Sequence, residues 1–260
     1  MLIKNVRIID WQNDFFGEVL AKDGKIFEFG KSLNAEGERQ TLDGGGKALM
    51  PAFVDLHAHF RDPGYTQKED IESGSRAAAR GGYTFVNLMA NTLPVCSDMS
   101  IINYVRRKAG EIGLIEVHQT ASITKNFDGR TLEHIDWLDG EVKWLSDDGA
   151  GVADSKVMLA AMKKAGERGM GLMCHEEEAG LAAFDSYLAE ELMTFRDVKM
   201  AARAGARLHV CHVSCIGAIN AIIAAKKTGA VNITCEAEPH HLLLNDETVY
   251  RVNPPLRAEK

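Results

Sequence analysis

The sequence predicts an α/β protein: a (β/α)8 barrel of the TIM type, with about seven βα units present, preceded by a small N-terminal β-domain. Residues 1–50 contain short strand patterns broken by Asp-Gly and Gly-Gly turns, whereas strand and helix patterns alternate from Pro51 onward. A doubly wound sheet would also fit this alternation. Polar residues, however, stand at the end of strand after strand, and a barrel brings all those ends to one mouth. We therefore expect the barrel.

Residues 1–50 predict a small β-sandwich-like domain, and residues 51–260 predict the barrel. The strand patterns of the first domain are LIKNVRIID, EVLAKDGKIFEFG and ERQTLDGGGKAL. Those of the barrel are AFVDLHAHF, YTFVNLMAN, LIEVHQTASI, EVKWLSDDG, MGLMCHEE, ARLHVCHVS and VNITCEAEPHHL. The helical patterns between them are EDIESGSRAAARGG, SDMSIINYVRRKAG, RTLEHIDWL, DSKVMLAAMKKAGERG, AEELMTFRDVKMAARAG and CIGAINAIIAAKKTG. Because the two kinds of element alternate one by one, the barrel strands should pair in parallel.

Composition excludes several classes of function. The formal net charge is −7 and no long basic run occurs, so nucleic acid is not an expected partner. No apolar stretch approaches the ~18 residues of a membrane span. The first residues alternate like a strand and do not resemble a signal peptide. Five cysteines without a CxxC pair predict buried, reduced thiols, as expected for a cytoplasmic protein.

The pair His57 and His59 is the sharpest chemical signal in the chain. Residues i and i+2 of a strand point to the same face, so two imidazoles at the end of one strand can bind one metal ion. A lone histidine in this position would more often be a core residue with a satisfied hydrogen bond. Two at this spacing predict a metal site.

Three further residues, Asp148, His175 and His212, each end a different predicted strand. Imidazole and carboxylate together suit zinc, with iron or manganese as alternatives. Five such ligands exceed what one tetrahedral ion uses, and a two-metal site explains the surplus. Asp148 could instead serve as a turn or helix-capping residue, and Asp147 competes with it for both roles. His209, three residues before His212, should point to the opposite strand face.

Seven segments between Met50 and Arg257 carry a resemblance to a known family. They are DLHAHFRDPG, NLMANTLPV, WLSDDG, CHEEE, LHVCHVS, EAEPHHLLL and VNPPLR. Together they resemble the motifs of the dihydroorotases, within the amidohydrolase superfamily, although Ala90 stands where that family usually has proline. The resemblance implies a zinc-dependent hydrolase of cyclic amides that interconverts N-carbamoyl-L-aspartate and L-dihydroorotate in pyrimidine biosynthesis.

The resemblance also implies roles for the predicted ligands. His57 and His59 match the ligands of a first zinc ion, and His175 and His212 match those of a second. Asp148 matches the carboxylate that bridges the two metals, because its register relative to His175 is that of the family's ligand.

Substrate contacts are implied in the same way. Arg61 and Asn91 match residues that hold the substrate carboxylate, and Asn253 matches a further contact. A guanidinium fork suits a carboxylate, and Arg61 would share the face of the two strand histidines if the extended run continues. Its alternative role is a surface salt bridge with Asp62. Many relatives bridge their metals with a carboxylated lysine, for which Lys143 is the only lysine of the fourth strand.

The sequence departs from the family in two places. The stretch between His175 and His212 is short, which leaves the details of a substrate lid open. The family's eighth strand carries a TDHAPH-like segment whose aspartate is the general base, and this catalytic residue would lie beyond Lys260. We therefore expect the 260-residue chain to be C-terminally incomplete, or else a degenerate homologue, and to be inactive alone.

Two other functions stay open at this stage. One is another amidohydrolase of the hydantoinase or allantoinase type, against which Arg61 argues. The other is a non-catalytic dihydroorotase-like subunit that scaffolds aspartate transcarbamoylase: the intact ligand set argues against it, and the missing aspartate argues for it. A homodimer or a complex with aspartate transcarbamoylase is the expected assembly.

Overall fold

The computed structural model describes residues 1–34, 37, 40–229 and 232–258. The chain divides into two compact units, Met1–Phe53 and Val54–Lys260. The predicted strand ERQTLDGGGKAL begins with residues 38 and 39, and the predicted strand VNITCEAEPHHL begins with residue 231. These three residues lie outside the described residues.

The first unit is a five-stranded sheet. Its strands are β1 (Leu2–Ile9), β2 (Asp14–Lys22), β3 (Lys25–Gly30), β4 (Thr41–Asp43) and β5 (Ala48–Leu49). The order is β3-β2-β1-β4, with β5 also pairing with β1. β1 pairs antiparallel with β2, and its alternating residues Val6 and Ile8 pack with Val19 in a small core. The described residues of this unit supply a single sheet, so the predicted sandwich stays a prediction.

The second unit contains seven strands that follow one another in chain order. They are β6 (Phe53–Ala58), β7 (Tyr83–Leu88), β8 (Glu116–Gln119), β9 (Trp144–Leu145), β10 (Gly171–Cys174), β11 (Leu208–Val210) and β12 (Ile233–Cys235). β6, β7 and β8 are neighbours, as are β9 to β12, and a parallel bridge between Ala121 and Leu145 links the two sets. A doubly wound sheet would reverse its strand order at a switch point. The described strands keep one order throughout, which is the order of a barrel wall.

Helices connect these strands, and their starts are visible in the sequence. They are α1 (Ile71–Arg80), α2 (Met99–Ile112), α3 (Ser155–Glu167), α4 (Ser186–Ala204), α5 (Ile216–Lys227) and α6 (Pro239–Leu243). The first four begin after aspartates whose carboxylates accept backbone N–H bonds of the first turn: Asp70, Asp98, Asp154 and Asp185. Such caps satisfy donors that a helix start otherwise leaves unpaired.

Two predicted elements differ from the structure. RTLEHIDWL, predicted as a helix, forms only the 3-10 helix Glu133–Trp137, which begins after Leu132 without a side-chain cap. The seventh strand, predicted to run through PHHL, ends at Cys235, and PHHLL forms α6. Pro239 has no N–H for a sheet ladder, but it fits the first turn of a helix.

The main core lies between the strands and the helices that cover them. It is built from apolar residues of both, such as Leu145, Leu172 and Leu208 from strands and Met158 and Ala201 from helices. All five cysteines are free thiols. Four are buried as predicted, whereas the prediction is wrong for Cys235, which is exposed. Among the described residues, no helix combines the length and apolar character that crossing a bilayer requires.

Candidate metal centre

Polar side chains converge where the parallel strands end. His57 is the second-to-last residue of β6, His175 directly follows β10, and Glu236 directly follows β12. Asp148 and His212 stand a few residues beyond β9 and β11. Strands that run in the same direction end at the same side of the sheet, which is why residues distant in sequence meet there.

Asp148 lies at the centre of this convergence. Its Oδ1 atom is 3.4 Å from His57 Nε2, 3.5 Å from His212 Nε2 and 3.8 Å from His175 Nδ1. Its Oδ2 atom is 3.6 Å from His59 Nε2. The structure thus brings the four predicted histidine ligands together around the fifth, the Asp148 carboxylate.

The neighbouring Asp147 does not enter the cluster. Its carboxylate accepts the backbone N–H groups of Ile123 (2.7 Å) and Thr124 (3.0 Å), and also the Thr124 hydroxyl. Burial raises the pKa of Asp147 to about 6, although these hydrogen bonds act in the opposite direction. Asp147 therefore fastens the loop after β8, while Asp148 faces the histidines.

Two imidazoles of the cluster have the charge that metal binding requires. Burial raises the pKa of Asp148, but hydrogen bonds with His212 and His57 outweigh it and hold that pKa well below its usual value. Burial lowers the pKa of both His59 and His175 to about 4. These two imidazoles are therefore neutral at pH 7, and a neutral imidazole nitrogen is the form that binds a metal.

The spacing of the donor atoms also fits a metal ion. Ligand atoms about 2.0–2.1 Å from a tetrahedral zinc ion lie about 3.3–3.4 Å from one another. The His57–Asp148 and His212–Asp148 separations of 3.4 and 3.5 Å are close to this edge length. His57, Asp148 and His212 also form a group whose ligand atoms all lie within 4.8 Å. Four imidazoles and a carboxylate are a donor set that zinc accepts.

Two asparagines predicted to contact substrate reach the same cluster. Asn91 donates to Asp148 Oδ2 at 3.1 Å, and its Oδ1 atom is 2.9 Å from His59 Nδ1. Both ends of its amide thus have protein partners. Asn253 Nδ2 lies 3.4 Å from His175 Nε2, at the other side of the cluster.

The backbone at Arg61 is not the extended strand that the sequence predicted. β6 ends at Ala58 and Arg61 has a left-handed backbone (φ 57°), so strand alternation does not extend to it. The alternative salt bridge is also wrong, because the Asp62 carboxylate accepts from Lys108 Nζ at 2.5 Å and Tyr104 Oη at 2.9 Å. Within the described chain, the Arg61 carbonyl accepts from Tyr65 N at 2.8 Å, and its guanidinium makes no hydrogen bond. Burial is the largest cause of the low pKa of His59, and the charge of Arg61 adds to it.

Three further residues, Lys143, His240 and His241, lie outside the five-residue cluster. The exposed Lys143 donates to the Gly140 carbonyl at 2.5 Å, which gives no support to a lysine bridge between metals. His240 and His241 lie on α6, where His241 Nε2 is 3.0 Å from the Pro254 carbonyl oxygen.

Sequence reasoning missed Glu236. Its Oε1 atom is 2.6 Å from His57 Nδ1, and its Oε2 atom is 3.0 Å from His209 Nε2. Burial lowers the pKa of His57, but hydrogen bonds with Asp148, Cys211 and Glu236 outweigh it and raise that pKa well above its usual value. The signal was available, because Glu236 is a polar residue at a strand end, like the ligands.

The family model and the curated relatives that match this chain name the same family. A family model described as "Dihydro-orotase-like" matches residues 46–217. A protein named dihydroorotase from Clostridium botulinum (strain Eklund 17B / Type B) is 52% identical over 263 residues, covering 100% of this chain and 66% of that protein. A dihydroorotase from Clostridioides difficile (strain 630) is 38% identical, covering 100% and 67%. The chain thus spans about two thirds of the length of these curated relatives.

Solved structures show the same fold. An L-hydantoinase (dihydropyrimidinase) from Arthrobacter aurescens has a TM-score of 0.81 at 21% identity, covering 99% of this chain and 63% of that one. A D-hydantoinase (dihydropyrimidinase) from Thermus sp. has a TM-score of 0.78 at 26% identity, with the same coverage.

Proposed function

The chain belongs to the dihydroorotase-like family, and on this premise we propose that it serves the interconversion of N-carbamoyl-L-aspartate and L-dihydroorotate, a step of pyrimidine biosynthesis. The observation that carries the proposal is the convergence of four imidazoles on the Asp148 carboxylate. A cyclic amide is a poor electrophile, and such a ligand set can hold the metal that its hydrolysis needs.

Zinc is the proposed cofactor, with two ions per site. His57 and His59 would hold one ion, His175 and His212 the other, and Asp148 would contact both. Bound zinc polarises a carbonyl oxygen and lowers the pKa of a water molecule to about 7. The low pKa of His59 and His175 supports this assignment, since neither nitrogen has to lose a proton first at neutral pH.

The substrate side of the site is assigned to Arg61, Asn91 and Asn253. A guanidinium group binds a carboxylate through two parallel hydrogen bonds, and Arg61 has its donors available beside His59. Holding the carboxylate orients the ring amide and lowers the entropic barrier to reaction. Asn91 holds His59 and Asp148 in place, so its contribution combines orientation of ligands with contact to substrate.

The proposed partners follow from the same assignment. The ligand is a small anionic cyclic amide, with no nucleic acid or membrane involved. The five free thiols support a reducing compartment, the cytoplasm. A homodimer or an aspartate transcarbamoylase complex is the proposed assembly.

A substrate panel tests the function. A chain that also carries the eighth strand with its general-base aspartate is loaded with zinc and incubated in parallel with L-dihydroorotate, hydantoin and allantoin, and zinc content is measured in the same samples. We expect turnover of dihydroorotate alone, and loss of both zinc and turnover in Asp148→Ala. Preference for hydantoin or allantoin would replace the substrate assignment. Retention of zinc by Asp148→Ala would refute the metal site.

A further inference from the structure

Each ring nitrogen of His57 faces a carboxylate. Its Nε2 atom faces Asp148 Oδ1 at 3.4 Å, and its Nδ1 atom is 2.6 Å from Glu236 Oε1. The His57 side chain is 5% exposed and that of Glu236 18%, so water competes little for this bond. The two residues are 179 positions apart: His57 lies in β6, and Glu236 directly follows β12.

Glu236 is itself held by a second histidine. His209 Nε2 lies 3.0 Å from Glu236 Oε2, and His209 Nδ1 lies 2.7 Å from Thr234 Oγ1. A neutral imidazole has one donor and one acceptor nitrogen. With the Thr234 hydroxyl donating to Nδ1, Nε2–H is free to donate to the carboxylate, and every polar atom of His209 is satisfied. Glu236 is thus fixed in position by a group outside the metal cluster.

The contact determines which nitrogen of His57 is offered to a metal. An ionised carboxylate can only accept hydrogen bonds. Glu236 lies between two imidazoles, with Oε1 2.6 Å from His57 Nδ1 and Oε2 3.0 Å from His209 Nε2, so both of its oxygens serve as acceptors. The proton of the short contact must therefore sit on His57 Nδ1. Nε2 is then the nitrogen left for coordination, and it points at Asp148.

We propose that Glu236, braced by His209, is a positioning residue that holds His57 with Nδ1 protonated and Nε2 directed into the metal site, and thereby sets the metal affinity of that site. The inference rests on the proposed function, because it assumes that His57 is a metal ligand. A histidine whose second nitrogen donates to a carboxylate is both oriented and more basic, and loss of such a partner weakens metal binding by about 10- to 100-fold.

Glu238 provides a matched control. It follows Glu236 by two residues, and its Oε1 atom is 4.0 Å from His57 Nδ1, beyond hydrogen-bond distance. Glu236→Gln and Glu238→Gln each remove one negative charge close to His57. Only Glu236→Gln also replaces the accepting carboxylate with an amide that can donate to Nδ1, so that either tautomer of His57 is allowed.

Zinc affinity is measured at neutral pH by competition with a chromogenic chelator, and stoichiometry is measured by elemental analysis. The proteins are wild type, Glu236→Gln, Glu238→Gln and His57→Ala. We expect Glu236→Gln to bind zinc about 10- to 100-fold more weakly with unchanged stoichiometry at saturation, and Glu238→Gln to resemble wild type. Thr234→Val, which removes the hydroxyl behind His209, should show a smaller loss in the same direction.

Proton NMR of the zinc-loaded wild type gives a readout that does not depend on activity or on a folded variant. The His57 Nδ1–H proton should appear far downfield and exchange slowly with water, because it lies in a short, buried bond. The same resonance should move upfield or broaden in Glu236→Gln.

Each of the other possible results overturns either the positioning role of Glu236 or the proposed function as well. Wild-type affinity in Glu236→Gln, an equal loss in Glu238→Gln, or no protected Nδ1–H proton overturns the positioning role and leaves the proposed function standing. Loss of a whole zinc equivalent in Glu236→Gln at saturation would make Glu236 a ligand instead. Failure of wild type to bind zinc, or no effect of His57→Ala, overturns both the proposed function and this inference.

Discussion

Two adjacent aspartates show how a single position acquires its role. Asp147 and Asp148 have the same chemistry, yet Asp147 is occupied by the N–H groups of the loop after β8 and Asp148 by imidazoles. Two of the predicted site residues also have an unusual backbone conformation. Arg61 (φ 57°) and His212 (φ 36°) both have left-handed conformations. These cost about 1–2 kcal/mol per residue, which the surrounding contacts must offset.

The first prediction concerns Arg61. In a chain that also carries the eighth strand, Arg61→Ala should lower kcat/KM for dihydroorotate by about 30- to 1000-fold, because loss of the bidentate charged contact should cost about 2–4 kcal/mol of transition-state binding. Zinc content should change little, because Arg61 is not among the ligands. Steady-state kinetics and elemental analysis on the same samples check this. Arg61→Lys, which keeps the charge but not the fork, should be intermediate. Unchanged kinetics in Arg61→Ala would rule out the carboxylate assignment.

At the scale of elements, the segment after β6 that contains His59 and Arg61 packs against α1. Phe60 lies between His59 and Arg61 and is buried, and its ring packs on Gly74 of α1. A Cβ atom built on Gly74 would lie 2.5 Å from Phe60 Cδ1, closer than real contacts allow. The glycine is therefore required by close approach of helix and turn.

Gly74→Ala should destabilise the protein by about 1–3 kcal/mol, as overpacking of a core does. Gly110→Ala is the matched control, since it lies within α2 and an added Cβ meets nothing within 4 Å. That change should stabilise by about 0.5–1 kcal/mol, because alanine favours a helix over glycine. Urea unfolding of both variants checks the pair. Equal stabilities would contradict the packing argument.

Glu190 ties α4 to two other segments. Its carboxylate accepts from Ser214 N (2.8 Å), Cys215 N (3.1 Å) and Arg257 Nη2 (2.7 Å). Burial raises the pKa of Glu190, but the bonds from Ser214 and Arg257 outweigh it and lower that pKa below its usual value. The charged form therefore stabilises the fold above the unfolded pKa of about 4.3. This contribution is lost as the pH falls through the lowered folded pKa.

Glu190→Gln should be about 2 kcal/mol less stable than wild type at pH 7, because charged hydrogen bonds become neutral ones. The difference should shrink as the pH is lowered below about 4, where wild type loses its advantage. Urea unfolding across this range measures both. The neighbouring Glu191 is exposed, and Glu191→Gln should stay within about 0.5 kcal/mol. A difference that does not depend on pH would remove the electrostatic explanation.

At the scale of the whole molecule, the metal and the fold are linked. A ligand that binds only the folded state stabilises it by about 2.7 kcal/mol at one hundred times its Kd. Chelation of zinc should therefore lower Tm by about 5–10 °C, and zinc should restore it. His59→Ala should lose most of the response, whereas His240→Ala, altered outside the cluster, should keep it. Calorimetry with and without chelator checks this, and an equal response of both variants would disprove the assignment.

The sequence by itself determined the order of strands and helices and indicated the candidate metal ligands. The repeat of strand and helix and the position of polar residues at strand ends are local patterns. They predicted seven parallel strands, and they singled out Asp148 and the four histidines that lie around it. The resemblance to a family added the preference for Asp148 over Asp147. The strand and helix predictions were possible because periodicity depends on residues only a few positions apart.

Only the tertiary structure decided which groups become partners across long separations. It paired Glu236 with His57 over 179 positions and directed Asp62 to Lys108 instead of Arg61. It also ended β6 before Arg61. No local pattern contains this information, because the energy of a buried polar group depends on the hydrogen-bond partner that packing brings to it.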